Sequence, residues 1–137
     1  MKNVSAVKYS PSVLKQEKYP KRPLALIVDD EADICILLKD ILQNKFESSS
    51  VTSLAAANQY LQTNEPALIF LDNKLSDGFG IENIHVFKLK YPATKIIMIS
   101  ACDNLNEREI ALHEGADVFI NKPFSIKTIW DAVQSMH

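Results

Sequence analysis

Apolar residues in this chain fall into short runs that alternate with segments of helical periodicity. Four of the runs are apolar almost throughout, which is typical of strands buried on both faces of a sheet. They cover residues 24–28, 67–71, 95–100 and 117–121. A fifth segment, residues 48–53, is rich in serine and is predicted to form an edge strand.

The segments between these strands repeat apolar side chains every three or four residues, as amphipathic helices do. The first helix is predicted to bury one stripe, formed by Ile34, Leu37, Leu38, Ile41 and Leu42. The last helix is predicted to begin after Ser125 and to bury a second stripe, formed by Ile126, Ile129, Trp130 and Val133.

The three middle helices are predicted from their end signals as much as from their periodicity. Ser53 is placed to cap a helix over residues 54–61. A third helix over residues 81–90 turns Ile81, Ile84 and Phe87 inward and stops before proline 92. The fourth, over residues 105–114, has little apolar surface and is closed by Gly115.

Five strands alternating with five helices predict an α/β fold with one parallel sheet, right-handed crossovers and helices on both faces. The chain has 137 residues, of which 47% are hydrophobic and 23% are charged, values typical of a single globular domain. We assign residues 23–137 to that domain and residues 1–22 to a basic, flexible N-terminal extension.

Charge is spread unevenly over a net value of −2. Residues 1–22 hold six Lys or Arg against one acid, a charge of +5, and residues 23–137 hold nine against sixteen, a charge of −7. An acidic body argues against nucleic-acid binding. The extension is predicted to keep the protein soluble, with contact to an anionic partner as the alternative.

Compartment signals point to the cytoplasm. No apolar run approaches the roughly 20 residues that cross a bilayer, and the N-terminus lacks the apolar segment of a secretion signal. Cys35 and Cys102 have no metal-binding spacing and are predicted to be free thiols in a reducing environment, a disulfide being the less favoured alternative.

Charged side chains follow several of the predicted strands. Asp29 and Asp30 come after the first strand, Asp72 after the third and Lys122 after the fifth. The carboxyl ends of parallel strands meet at one sheet edge, where open α/β folds bind their ligands. Three carboxylates and an ammonium group at that edge favour a divalent cation and a phosphoryl group.

Four motifs occur in order along residues 24–136, nearly the whole predicted domain. They are Val28-Asp-Asp-Glu31, Leu71-Asp72 followed by Asp77-Gly-Phe-Gly80, Ser100-Ala101, and Gly115-Ala-Asp-Val-Phe-Ile-Asn-Lys-Pro-Phe124. In this combination the chain resembles the receiver domain of two-component response regulators, in particular the chemotaxis-type, single-domain members. The resemblance implies a flavodoxin-like fold with strand order 2-1-3-4-5 and a cis peptide bond at Lys122-Pro123.

The same resemblance implies a role for each residue at the sheet edge. Asp72 matches the acceptor of a phosphoryl group from a histidine kinase or phosphotransfer protein. Asp29, Asp30, Asp72 and the main-chain carbonyl of Lys74 would bind Mg²⁺, and Lys122 would pair with a phosphoryl oxygen. Glu31 is interpreted instead as an acid in the first turn of a helix.

A conformational readout is also implied by the resemblance. Ser100 matches the switch hydroxyl and Phe119 the switch aromatic, a plain core position for Phe119 being the less favoured alternative. Their movement would reshape the surface formed by helix four, strand five and helix five for an output partner, as a monomer or as a phosphorylation-dependent dimer. Such a protein is a switch with self-catalysed phosphotransfer and not an enzyme.

Several positions depart from the family pattern. Ser76 replaces a proline, and Phe119 lacks the phenol oxygen of the frequent tyrosine. Lys74 and Cys102 border the expected path of the water that hydrolyses the acyl phosphate, so Lys74 is predicted to affect the phosphorylated lifetime. His85 and His113 are interpreted as surface residues.

Three alternatives stay open. The chain is a receiver fragment of a longer transcription regulator, or a phosphorylation-independent adaptor, or a magnesium-dependent phosphohydrolase with an aspartyl-phosphate intermediate. Phosphohydrolases of that kind usually carry a second acid two residues after the nucleophile, where this chain has Lys74. That position argues against the hydrolase.

Overall fold

A single parallel sheet of five strands forms the centre of the computed structural model, which describes residues 21–101 and 105–136. The strands are β1 (Leu24–Val28), β2 (Glu47–Val51), β3 (Leu68–Asp72), β4 (Lys95–Ser100) and β5 (Val118–Asn121). Their order, β2-β1-β3-β4-β5, confirms the flavodoxin-like prediction, with the serine-rich β2 at one edge. The predicted extension, apart from residues 21 and 22, and Cys102 lie outside the described residues.

Five helices connect and cover the strands. They are α1 (Ala32–Leu42), α2 (Leu54–Thr63), α3 (Ile84–Lys90), α4 (Leu105–Glu114) and α5 (Ile126–Ser135). The predicted caps are confirmed, because Ser53 Oγ accepts from Ala56 N and Ser125 Oγ accepts from Thr128 N, both at 3.1 Å. No helix within the described residues is long and apolar enough to span a membrane.

Side chains alternate along β1, β3, β4 and β5 between two apolar layers. Ile27 and Phe70 face the layer that contains α1 and α5, whereas Leu26 and Ile69 face the layer that contains α2, α3 and α4. These strand residues are almost completely buried. Burial on both faces explains why the sequence of β1, β3 and β4 is nearly continuous in apolar residues.

Two predicted stripes are wrong in part. In α1, Leu37 is 38% exposed, and Cys35 takes a buried position in its place. In α5, Ile126 is 59% exposed, and Ala132 is buried instead. Cys35 and Ala132 complete the two stripes. Both are small, so a pattern based on large apolar side chains does not include them.

Element bounds also differ at several ends. The register of β2 with β1 runs from Leu24 opposite Glu47 to Val28 opposite Val51, so β2 starts and ends earlier than predicted. The two-residue strands Lys74–Leu75 and Gly78–Phe79 form a hairpin after β3, and a 3₁₀ turn at Gly80–Asn83 precedes the shorter α3. This hairpin lies beside the carboxyl edge of the sheet and forms one wall of the site.

Candidate functional site

Strand register brings the predicted site residues together. Val28 pairs with Leu71, so the residues that follow them, Asp29 and Asp72, lie side by side at the carboxyl edge. On the other side, Ser100 of β4 pairs with Asn121 of β5, and the main-chain N–H of Lys122 donates to the Ser100 carbonyl at 2.8 Å. Residues distant in the sequence therefore converge because parallel strands end at a common edge.

Three carboxylates form a cluster at this edge. Oxygen atoms of Asp29, Asp30 and Asp72 lie within 4.8 Å of one another. Opposite ligands of an octahedral Mg²⁺ are separated by roughly 4 Å, so a small adjustment allows all three to bind one ion. Asp29 and Asp72 are buried, whereas Asp30 is exposed and leaves a side of the cluster open to water. The donor set fits a hard divalent cation.

Burial and repulsion make Asp72 an unusual carboxyl group. Desolvation and the neighbouring charge of Asp29 raise its pKa to about 6, although Lys122 and the N–H of Asn73 act in the opposite direction. A cation would relieve this repulsion directly. The electrostatics thus agree with the ligand geometry.

The ammonium group of Lys122 contacts three carboxylates. Its Nζ lies 2.6 Å from Glu31 Oε1, 2.9 Å from Asp29 Oδ2 and 3.5 Å from Asp72 Oδ1. Burial lowers the pKa of Lys122, but the hydrogen bonds with Glu31 and Asp29 and the charge of Asp72 outweigh it and raise the pKa above its ordinary value. Lys122 therefore stays charged and lies next to the Asp72 carboxylate, while its pairing with a phosphoryl oxygen stays a prediction.

The prediction for Glu31 as a first-turn acid is wrong. Glu31 precedes α1 as its N-cap residue, and its side chain makes no capping hydrogen bond. Its carboxylate extends across the site to Lys122, which lies 91 residues away in the sequence. Local sequence offers no signal for a contact of this separation.

Asn73 and Gly80 hold Asp72 in place. Sequence reasoning gave neither residue a role, although Gly80 belongs to one of the four motifs. The N–H of Asn73 donates to Asp72 Oδ1 at 2.9 Å, and its carbonyl accepts from Gly80 N at 2.7 Å. Asn73 Oδ1 also accepts from Ile81 N at 3.0 Å. A Cβ at Gly80 would overlap the carbonyl oxygen of Asp72, so this close approach requires glycine.

Asp77 has a second role that its turn motif did not indicate. Its two carboxylate oxygens accept from Leu54 N and Ala55 N, each at 2.9 Å. These N–H groups belong to the first turn of α2, where helices leave donors unsatisfied. Asp77 thereby ties the hairpin beside the site to α2.

The predicted switch residues lie in the interior. Ser100 is 3% exposed and Phe119 is 4% exposed, so the ring of Phe119 already occupies a buried position. Arg108 of α4, which was not predicted, places its guanidinium carbon 4.9 Å from the centre of that ring. Arg108 Nη2 also donates to Asn121 Oδ1 at 3.2 Å, so one side chain contacts two residues of β5.

A cavity of about 490 Å³ opens over the cluster. It is lined by Asp30, Glu31, Asp72, Lys74, Ala101 and Lys122. The exposed side chain of Lys74 thus lines the same cavity as Asp72, while the role of its carbonyl as a metal ligand stays a prediction. His85 and His113 lie on exposed helix faces away from this cavity, as predicted.

Fold and site together are those of a receiver domain. The family model for the response regulator receiver domain matches residues 25–134, and the chain belongs to that family. The predicted cis peptide bond at Lys122-Pro123 is present.

Known proteins support the same assignment. The chain is 33% identical over 113 residues to the response regulator protein PilR of Pseudomonas aeruginosa, covering 82% of this chain and 25% of PilR. It is 36% identical over 107 residues to the KDP operon transcriptional regulatory protein KdpE of Escherichia coli, covering 74% of this chain and 45% of KdpE. The chain thus spans a quarter to about half of these relatives.

Solved receiver domains have the same architecture. A CheY-like response regulator receiver domain protein from Methanospirillum hungatei superimposes with a TM-score of 0.79 at 25% identity, covering 85% of this chain and 94% of that one. The receiver domain of NtrX from Brucella abortus gives a TM-score of 0.75 at 29% identity, covering 81% and 95%.

Proposed function

We propose that this receiver domain accepts a phosphoryl group on Asp72 from a phosphohistidine of a histidine kinase or phosphotransfer protein. The observation that carries the proposal is the position of Asp72, buried at a strand end between the carboxylates of Asp29 and Asp30 and the ammonium of Lys122. A carboxylate in this setting is a nucleophile beside the positive charge of Lys122, and Asp29 and Asp30 are placed to hold a cation that would supply more.

The transfer is a displacement at phosphorus. A carboxylate oxygen of Asp72 forms a new O–P bond while the N–P bond of the donor phosphohistidine breaks, and its electron pair remains on the imidazole nitrogen. Asn73 N–H orients the Asp72 carboxylate during this step. Most of the catalytic contribution is positioning and neutralisation of the phosphoryl charge.

Asp29, Asp30 and Asp72 would hold Mg²⁺, with the carbonyl of Lys74 as the further predicted ligand. The bound ion would supply positive charge to the phosphoryl oxygens. Lys122 supplies the second positive charge from the opposite side of the cavity.

The output of phosphorylation is a change in the surface formed by α4, β5 and α5. The hydroxyl of Ser100 donates a hydrogen bond to the phosphoryl group, and the ring of Phe119 moves into the space that this hydroxyl leaves. An output partner then reads this surface. On this proposal the protein is a switch that turns over no separate substrate, and it binds no nucleic acid itself.

Intact mass after incubation with acetyl phosphate and Mg²⁺ tests the proposal. We expect one added phosphoryl group on the wild type, none without Mg²⁺ and none on Asp72→Asn. A matched variant, Asp33→Asn, changes an exposed acid of α1 and should still be phosphorylated. Failure of the wild type both to gain mass and to bind beryllofluoride would reject the proposal in favour of a phosphorylation-independent adaptor.

A second candidate is that these residues form the receiver portion of a longer transcription regulator. The length of the relatives favours it, because the chain covers 25% of PilR and 45% of KdpE. Immunoblotting of the native protein would distinguish the two, since a longer regulator migrates well above the 15.4 kDa of this chain.

A further inference from the structure

The three carboxylates around Lys122 differ in how firmly they are held. Asp29 Oδ1 accepts from Glu31 N at 2.8 Å, and Asp72 Oδ1 accepts from Asn73 N at 2.9 Å. Both of these side chains are buried. The Glu31 side chain is 59% exposed, yet it makes the shortest contact with the ammonium group, at 2.6 Å.

An ammonium group has three N–H donors. Within the described residues, Lys122 already faces three carboxylates, of which Asp72 is the most distant at 3.5 Å. A phosphoryl group on Asp72 brings three further acceptor oxygens into the same cavity. The phosphoryl group takes over the long Asp72 contact, and the ammonium group must turn toward it and away from its two shorter contacts, with Asp29 and Glu31. Of these two carboxylates only Glu31 is exposed, so it is the one that can withdraw into solvent.

We propose that Glu31 competes with the incoming phosphoryl group for Lys122, so that withdrawal of the Glu31 carboxylate accompanies phosphorylation of Asp72. This inference rests on the proposed function. Glu31 is on this account a positioning residue, because it acts through Lys122 and not on phosphorus.

The position of Glu31 supports a second effect in the same direction. Glu31 lines the cavity that the phosphoryl group would enter, together with Asp30 and Asp72. A carboxylate held there by Lys122 repels an anionic donor, whereas a carboxylate turned toward solvent is screened. Water screens the exposed Glu31 carboxylate on its outer side, so the barrier that it sets is modest although Lys122 is nearly buried.

Rates of phosphorylation by acetyl phosphate test the competition. In this reaction the Asp72 oxygen forms an O–P bond while the O–P bond of acetyl phosphate breaks and acetate leaves. We expect Glu31→Gln to raise the rate constant about 3- to 10-fold, in line with the loss of a weak ion pair. The dissociation constant for beryllofluoride should fall by a similar factor, and the thermal midpoint without ligand should not rise.

Two matched variants distinguish the effect of the contact between Glu31 and Lys122 from the effect of negative charge alone. Asp33→Asn removes one negative charge from the first turn of the same helix and should change the rate less than twofold. Glu31→Asp keeps the charge but is one methylene shorter, so it cannot keep the 2.6 Å contact and should also be faster than the wild type.

The outcomes are distinct. A wild type that is never phosphorylated rejects the proposed function itself. A phosphorylated wild type with an equal or slower Glu31→Gln variant overturns the competition alone. If Glu31→Gln and Asp33→Asn raise the phosphorylation rate equally, or if Glu31→Asp does not raise it, net charge is responsible for the effect. Either result would also overturn the proposed competition for Lys122.

Discussion

Arg108 of α4 covers the ring of Phe119 of β5, with the guanidinium carbon 4.9 Å from the ring centre. A cation at this distance from an aromatic face is attracted by the ring quadrupole. The same guanidinium donates to Asn121, the residue next to Lys122. A single side chain on the proposed output surface therefore contacts both the candidate switch ring and the strand end that carries the site lysine.

Arg108→Gln is expected to weaken the binding of beryllofluoride about two- to fivefold. The reason is that Arg108 stabilises the buried ring of Phe119 by about 0.5–1 kcal/mol, and ring burial is the arrangement that the proposed switch couples to the phosphoryl group. Titration in the presence of Mg²⁺ measures the effect. Lys127→Gln, which removes a cation from an exposed pair on α5, is the control and should leave the affinity unchanged. Tighter or unaltered binding in Arg108→Gln would contradict this coupling.

Gly80→Ala is expected to destabilise the domain and slow phosphorylation together. The added methyl group would overlap the Asp72 carbonyl oxygen and crowd Leu71 Cγ at 2.9 Å. Overpacking of this kind costs about 1–3 kcal/mol, and relief of the overlap must move the backbone of Asp72. Urea denaturation and the acetyl phosphate assay measure the two effects. Ser76→Ala in the same hairpin loop is the control, and a Gly80→Ala variant with wild-type stability would refute the close approach.

Sequence patterns predicted the structural features whose physical cause lies within a few residues along the chain. Ser53 and Ser125 cap helices that begin at the next residue, and Asp72 is the last residue of its strand, so each has a short-range signature. Asp30 and Lys122 could also be placed, because parallel strands share a carboxyl edge.

Contacts across long separations could not be predicted in this way. Glu31 and Lys122 are 91 residues apart, and Asp77 and Leu54 are 23 apart, so only the folded chain shows that they meet. Periodicity also failed to rank neighbouring apolar residues in α1, where Cys35 is buried and Leu37 is exposed.

Asp77→Asn is expected to lower the thermal midpoint at pH 7, because the carboxylate stabilises the N–H groups that begin α2. Hydrogen bonds from Leu54 and Ala55 hold the pKa of Asp77 below its ordinary value. A carboxyl group with a lowered folded pKa adds stability above its unfolded pKa of about 4 and loses it as the pH falls through the folded value. The difference in midpoint between wild type and Asp77→Asn should therefore shrink toward pH 3 in thermal melts. A difference that stays constant with pH would show that the charge of Asp77 is not responsible.

Mg²⁺ is expected to raise the thermal midpoint of the wild type by about 6 °C at ten times its dissociation constant. An ion at that concentration adds about 1.4 kcal/mol of stability, and 1 kcal/mol corresponds to about 4 °C for a domain of this size. Asp30→Asn should lose most of the shift because it removes one of the three clustered carboxylates. Asp33→Asn should retain the shift, and sodium chloride at matched ionic strength should not reproduce it. An equal shift in Asp30→Asn would place the ion elsewhere.

Lys74→Asn is expected to shorten the lifetime of the phosphorylated protein about threefold or more. A threefold change corresponds to a barrier to hydrolysis of the acyl phosphate that is lower by about 0.7 kcal/mol. Lys74 is exposed and lines the cavity with Asp72, so its long side chain can contact the phosphoryl group or shield it from the attacking water. Asparagine is shorter and neutral, and it offers neither effect. Decay of phosphorylated protein after removal of acetyl phosphate gives the rate, with Lys90→Asn at the end of α3 as a control for the loss of one surface charge. If Lys74→Asn decays at the wild-type rate, the side chain at this position does not protect the acyl phosphate.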